Sequence, residues 1–175
     1  MKNNNHYIIT IVVIVIIQIL SNNYLNLGLY LYPALLPFII LKLPFKIRTI
    51  NSLIIAFCLG LVTDILSNGI LGLNAASLTF VGLLRQPLLN ISVNQKDIGR
   101  NELPNFKMGI YRYMSYLTIL YFVYLTVYIG LDMMSFSPIS FTLIKIICSL
   151  VLNIILCLIL EIILYNRENI NDRLR

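Results

Sequence analysis

Apolar residues dominate this chain in runs of about membrane length, broken by short polar gaps. Six runs emerge: Tyr7–Tyr24, Leu27–Leu43, Ile50–Leu66, Ile70–Ile91, Met108–Leu131 and Ile139–Tyr165. A helix needs about 20 mostly apolar residues to cross a bilayer core, so each run is a candidate span. The expected fold class is therefore all-α: a polytopic membrane helix bundle of about six transmembrane helices in a single domain, residues 1–175. The second run is interrupted by Pro33 and Pro37. Proline lacks a backbone donor and clashes with the preceding turn, so this run is expected to be kinked or partly re-entrant. The first run follows Lys2 and is trailed by Gln18 and Ser21-Asn22-Asn23 rather than a small-residue cleavage site, so it reads as a retained span.

Within the third and fourth runs, small residues are ordered. Ser52, Ala56, Gly60 and Asp64 recur at every fourth position, which places them on one helix face. The fourth run opens with Gly72 and Ala76, and Ala75 and Thr79 repeat that spacing on an adjacent stripe. Small faces let membrane helices approach closely, so the two runs are expected to form a tight antiparallel pair across Ser67-Asn68-Gly69. Gly60→Leu is then expected to break the pair.

Composition and charge sharpen the class. The chain is 59% hydrophobic and only 11% charged, with a formal net charge of +6. A soluble domain carries about a quarter charged residues, which excludes that class. The cations do not form an amphipathic or aromatic-interleaved surface, so nucleic acid is not indicated. Lys2, Lys42, Lys46, Arg48, Arg85, Lys96, Arg100, Lys107, Arg112, Arg167, Arg173 and Arg175 flank alternate gaps. The other gaps, 25–26, 67–69 and 132–138, hold no Lys or Arg. The positive-inside rule then places both termini in the cytoplasm. Lys145 disagrees, lying near the outer end of the sixth run, where it either snorkels outward or faces the bundle interior. The polar stretch Ser92–Lys107 falls on the cytoplasmic side, against anionic lipid or a cytoplasmic partner.

Candidate chemistry is sparse. Asp64 is a carboxylate in an apolar run, which is costly and invites a functional reading as an ion site, a proton site or a contact to another membrane helix. The structural alternatives are a helix-end group at the interface, or an acceptor for nearby backbone and for Asn68 or Asn74. If it is interfacial, Asp64→Asn should be mild. Tyr121, Tyr124 and Tyr128 share a face of the fifth run, whose hydroxyls need partners inside the bundle. Glu161 is expected at the interface near Arg167, and His6 is a lone histidine. Cys58, Cys148 and Cys157 all lie in apolar runs with no metal-ligand spacing. No catalytic triad, HExxH, Walker motif or nucleotide fingerprint occurs. No catalytic residue, metal or cofactor is expected.

The stretch GLVTDILSNGILGLNAASLTFVGLLRQPLL resembles the hallmark segment of the MreD family, rod-shape-determining membrane proteins of bacteria. That segment reads approximately G-L-x-x-D, a short loop, then a small-residue helix opening G-x-x-A. Gly60, Leu61, Asp64, Gly72 and Ala75–Ala76 occupy those positions. Arg85-Gln86-Pro87 resembles the Arg-Pro that closes it in Bacteroidetes members. QILSNNYLNLGLYLYPALLPFIILKLPF, Asn105–Gly109 and EIILYNRE are also similar to that subgroup. Two positions depart: Asn74 stands where subgroup members often have His, and Gln86 separates Arg85 from Pro87. The resemblance implies a non-catalytic role in cell elongation at the inner membrane, with a MreC-like bitopic protein, a RodA-type glycosyltransferase, its transpeptidase and MreB-type filaments as partners. It implies a fold similar to the substrate-binding subunits of energy-coupling-factor transporters. Candidate packing or partner-contact residues are Ala56, Gly60, Asp64, Gly72, Asn74, Ala76 and Arg85. An alternative is a solute-binding membrane subunit with a polar pocket built from Asp64, Asn68, Asn74 and Lys145.

Overall fold

A computed structural model describes residues 2–24, 28, 30–67, 70–92, 109–132 and 139–173. Asn68, the stretch 93–107, Lys96, Arg100, Lys107 and Arg175 lie outside them. Among the described residues all regular structure is helical: α1 (Lys2–Tyr24), α2 (Leu36–Leu41), α3 (Thr49–Leu66), α4 (Leu73–Ser92), α5 (Ile110–Asp132) and α6 (Ile139–Arg173). Among the described residues three stretches are long and apolar enough to cross a membrane, Thr49–Leu66, Ile110–Asp132 and Ile139–Ile163. Five of the six expected runs correspond to a long helix.

The second run does not. Only Leu36–Leu41 is helical, and residues 31–35 carry no regular structure. The prolines explain the division. Pro33 sits in the non-helical part, and Pro37 falls in the first turn of α2, where a missing N–H has no intrahelical partner to lose. The segment does not turn back. It runs parallel to α6: the Tyr30 ring meets Phe141 at 5.0 Å, Ala34 bonds Asn153, and Lys42 pairs with Glu161. Twenty residues of α6 rise about 30 Å, and the non-helical residues 31–35 together with the six residues of α2 lie along that length. The second run therefore lies along about the same length of α6 as a non-helical stretch followed by a short helix.

α3 and α4 form the most extensive helix pair, α4 packs on α5 and α5 on α6, while α2 touches α1, α3, α4 and α5. All six residues of α2 are buried, and they join Tyr113, Tyr116, Leu117, Leu120, Tyr121 and Tyr124 of α5 in the core. The opposite faces of the long helices expose rows of Ile, Leu, Val and Phe, such as Ile144, Ile147, Val151, Ile155, Ile159 and Ile162 of α6. Such rows are costly in water and ordinary in lipid.

Candidate functional site

The α3–α4 seam is built on contact between backbones. A Cβ added to Gly60 would lie 2.4 Å from the Ala75 Cα, closer than any real contact, so only glycine fits. One α3 turn further toward its N-terminus, Ala56, Ser52 and the α4 glycine Gly82 meet in the same way, with a Gly82 Cβ at 3.1 Å from both the Ala56 Cβ and the Ser52 carbonyl. Ser52, Ala56, Gly60 and Asp64 are all buried, as their spacing predicts. The α4 side differs from expectation. Its close contacts are Ala75 and Gly82, whereas Ala76 is only half-buried. Gly72 precedes the helix, is exposed, and has open space around its Cβ direction. It is no packing residue; its φ of +95° is what demands glycine.

That turn aims a backbone donor at Asp64. The carboxylate is 2% exposed, at the end of α3 yet turned into the start of α4. Its Oδ2 accepts the N–H groups of Gly72 and Ala75, both at 3.0 Å. Its Oδ1 accepts the Asn74 N–H at 3.1 Å and the Asn74 Nδ2–H at 2.8 Å. A helix N-terminus presents orphan donors and a partial positive charge, and a carboxylate satisfies both. Asp64 thus caps a helix that begins nine residues later. Asn74 then accepts the Tyr124 hydroxyl on its Oδ1 at 2.6 Å, tying α5 to the hairpin. Tyr124 stacks on Tyr128, and Tyr128 on Tyr32 of the second run. Asp64 is therefore the acceptor for nearby backbone and for Asn74 that the sequence offered as one alternative.

Arg85 is fully buried rather than a flanking surface charge. Its Nε donates to the Ile40 carbonyl at 2.9 Å, and its Nη2 donates to the carbonyls of Leu43 and, at 3.0 Å, Pro44. These carbonyls lie at the end of α2 and just beyond it; those of Ile40 and Pro44 also accept the N–H groups of Leu43 and Ile47, and the planar fork of a guanidinium reaches all three at once. Gln86 and Pro87 do not end α4, which continues to Ser92.

Lys42 and Glu161 are also drawn inward. Lys42 Nζ lies 2.6 Å from Glu161 Oε1, and the Tyr113 hydroxyl donates to Oε2 at 2.9 Å. Glu161 is 2% exposed: an ion pair with a residue 119 positions earlier turns it toward the protein interior. Lys145 faces Asp132 at 3.6 Å across the α5–α6 ends.

The remaining polar positions clasp the non-helical stretch. Gln18 Oε1 accepts the Leu35 N–H at 2.6 Å, and its Nε2 donates to the Pro33 carbonyl at 3.2 Å. Ser149 Oγ accepts the Tyr32 N–H at 3.0 Å and donates to the Tyr30 carbonyl. Asn153 Oδ1 accepts the Ala34 N–H at 2.6 Å, and its Nδ2 donates to the Tyr32 carbonyl at 2.8 Å. None of the three stood out in the sequence reading. The available signal was the four-residue spacing of Ser149, Asn153, Cys157 and Glu161 in an otherwise aliphatic helix. Among the described residues no group of three or more His, Cys, Asp or Glu side chains gathers to hold a metal.

Fold and site together define an all-helical bundle with membrane-length apolar helices and a polar interior used for helix capping. No family model matches the chain, and neither a curated protein nor a solved structure matches it.

Proposed function

We propose that this chain is a non-catalytic, multi-pass subunit of the bacterial inner membrane that organises peptidoglycan synthesis during cell elongation. In this reading it works with a MreC-like bitopic protein, a RodA-type glycosyltransferase with its transpeptidase, and MreB-type filaments, and both termini are cytoplasmic. The six runs cross the membrane as a bundle of the kind expected from the family resemblance.

One observation carries the reading. The residues that resemble the family hallmark, Gly60, Asp64, Gly72 and Ala75, form one seam in which the carboxylate accepts four hydrogen bonds from the chain itself. The motif's chemistry goes into shaping a helix pair, as suits a scaffold. The orientation draws support from Lys46, Arg48 and Arg112, exposed at the end of the bundle that holds Glu161. The solute-binding alternative loses its groups: Asp64 and Asn74 bond each other, Asn74 also holds Tyr124, and Lys145 faces Asp132.

Depletion of the protein in the rod-shaped bacterium that encodes it tests the proposal. Rounded cells, and co-purification of a MreC-like protein with the tagged chain, are the expected outcome. Unchanged rods together with no elongation proteins in the purified material would overturn it.

A further inference from the structure

Ser149, Asn153, Cys157 and Glu161 recur at every fourth position of α6, and all four are buried. Three of them act on the second run. Between them Ser149 and Asn153 bond the N–H groups of Tyr32 and Ala34 and the carbonyls of Tyr30 and Tyr32. Glu161 takes Lys42. Every one of these α6 residues lies 117 to 121 positions after its partner in the chain. A helical span satisfies its backbone internally, and hydrocarbon tolerates non-helical backbone only where protein covers it. Residues 31–34 show no such backbone bonding, the Leu35 carbonyl accepts the Phe38 N–H at the start of α2, and the passage also carries a lysine. Among the described residues, the earlier-made helix α1 bonds the backbone of this stretch through Gln18, which reaches Pro33 and Leu35, while its Asn22 accepts the Tyr32 hydroxyl; the backbone groups of Tyr30, Tyr32 and Ala34 and the Lys42 ammonium bond to α6.

We infer that the second run is not an autonomous membrane span: the polar ladder of α6 is the strip that admits it, so the chain's last helix completes its topology. This rests on the membrane reading above. The Ser149–Asn153 rungs accept the non-helical half by pairing its backbone. The Glu161 rung fixes the depth, because a slip by one turn toward the start of α6 sets Lys42 against Cys157, which carries no opposite charge.

Sidedness of the full-length chain in its own membrane tests this. In a background with the three native cysteines replaced, Lys46→Cys reports the connection after the second run and Arg112→Cys reports the start of α5. A membrane-impermeant maleimide is applied to spheroplasts and to inside-out vesicles. In the parent, both positions should label from the inside-out vesicles only. With Ser149→Ala and Asn153→Leu together, Lys46→Cys should gain labelling from spheroplasts while Arg112→Cys does not. Lys42→Glu should do the same, and Lys42→Glu with Glu161→Lys should restore the parent pattern. Unchanged sidedness of Lys46→Cys in both variants, movement of both reporters together, or a charge swap no better than Lys42→Glu alone overturns the inference. If the parent's Lys46→Cys already labels from spheroplasts, the proposed orientation fails. The dependence on α6 is then still read from whether the variants change the labelled side.

Discussion

The Asp64 carboxylate and the Asn74 side chain meet at 2.8 Å inside the α3–α4 hairpin, each also serving another element. Asp64 gathers the first N–H groups of α4, and Asn74 passes the connection to Tyr124. Replacing Asp64 should therefore be felt as helix capping and as orphaned buried donors at once. Asp64→Ala is expected to destabilise the protein by about 2–4 kcal/mol. Asp64→Asn keeps one acceptor but turns an amide toward backbone N–H groups, so it too should be clearly destabilising rather than mild. Thermal unfolding in detergent, followed by far-ultraviolet circular dichroism, measures both.

Three glycines separate three physical roles. Gly60→Ala puts a methyl into the Ala75 backbone and should cost about 3 kcal/mol by forcing α3 and α4 apart. Gly72→Ala meets open space but a left-handed φ, and should cost about 1–2 kcal/mol. Gly130→Ala, in α5 with nothing near its Cβ direction, should be neutral or stabilise by up to about 1 kcal/mol. The same unfolding experiment ranks them; a Gly60→Ala protein as stable as Gly130→Ala would contradict the seam.

Arg85 caps α2 through several carbonyls, and geometry matters as much as charge. Arg85→Lys keeps the charge but loses the fork, and is expected to lose about 1–3 kcal/mol, with Arg85→Leu losing more because the carbonyls are left buried. Equal stability of the Lys variant and the parent would show that the ammonium suffices.

Two tyrosines offer a paired control. Tyr124→Phe removes the donor to Asn74 and should cost about 1 kcal/mol. Tyr111→Phe alters a side chain that is 90% exposed and should leave the unfolding midpoint unchanged.

Period and composition made five of the six helices legible, because a long aliphatic run in a chain with 11% charge leaves few alternatives. The stripe Ser52–Ala56–Gly60–Asp64 was equally legible, since a four-residue spacing projects onto one helix face whatever the fold. Its partner face was not. Gly72 and Ala76 matched the spacing rule, but α4 starts only at Leu73, and the helix start decides which residues point at α3. Positive-inside counting treated Lys42 and Arg85 as flanking charges. Burial instead depends on what stands opposite, which for Lys42 is Glu161 and for Arg85 is the end of α2.

By itself the sequence determined an all-helical, lipid-compatible chain, the small-residue face of α3, and a second run disturbed by its prolines. These follow from local properties: side-chain hydrophobicity, helical period and the missing proline donor. Only the tertiary structure decided that Asp64 caps a neighbouring helix, that Arg85 and Lys42 lie inside, and that the broken run lies parallel against α6. Those outcomes turn on buried polar groups finding partners. A buried donor or acceptor is costly alone, and its partner lies wherever the packed helices bring one, here up to 121 residues away.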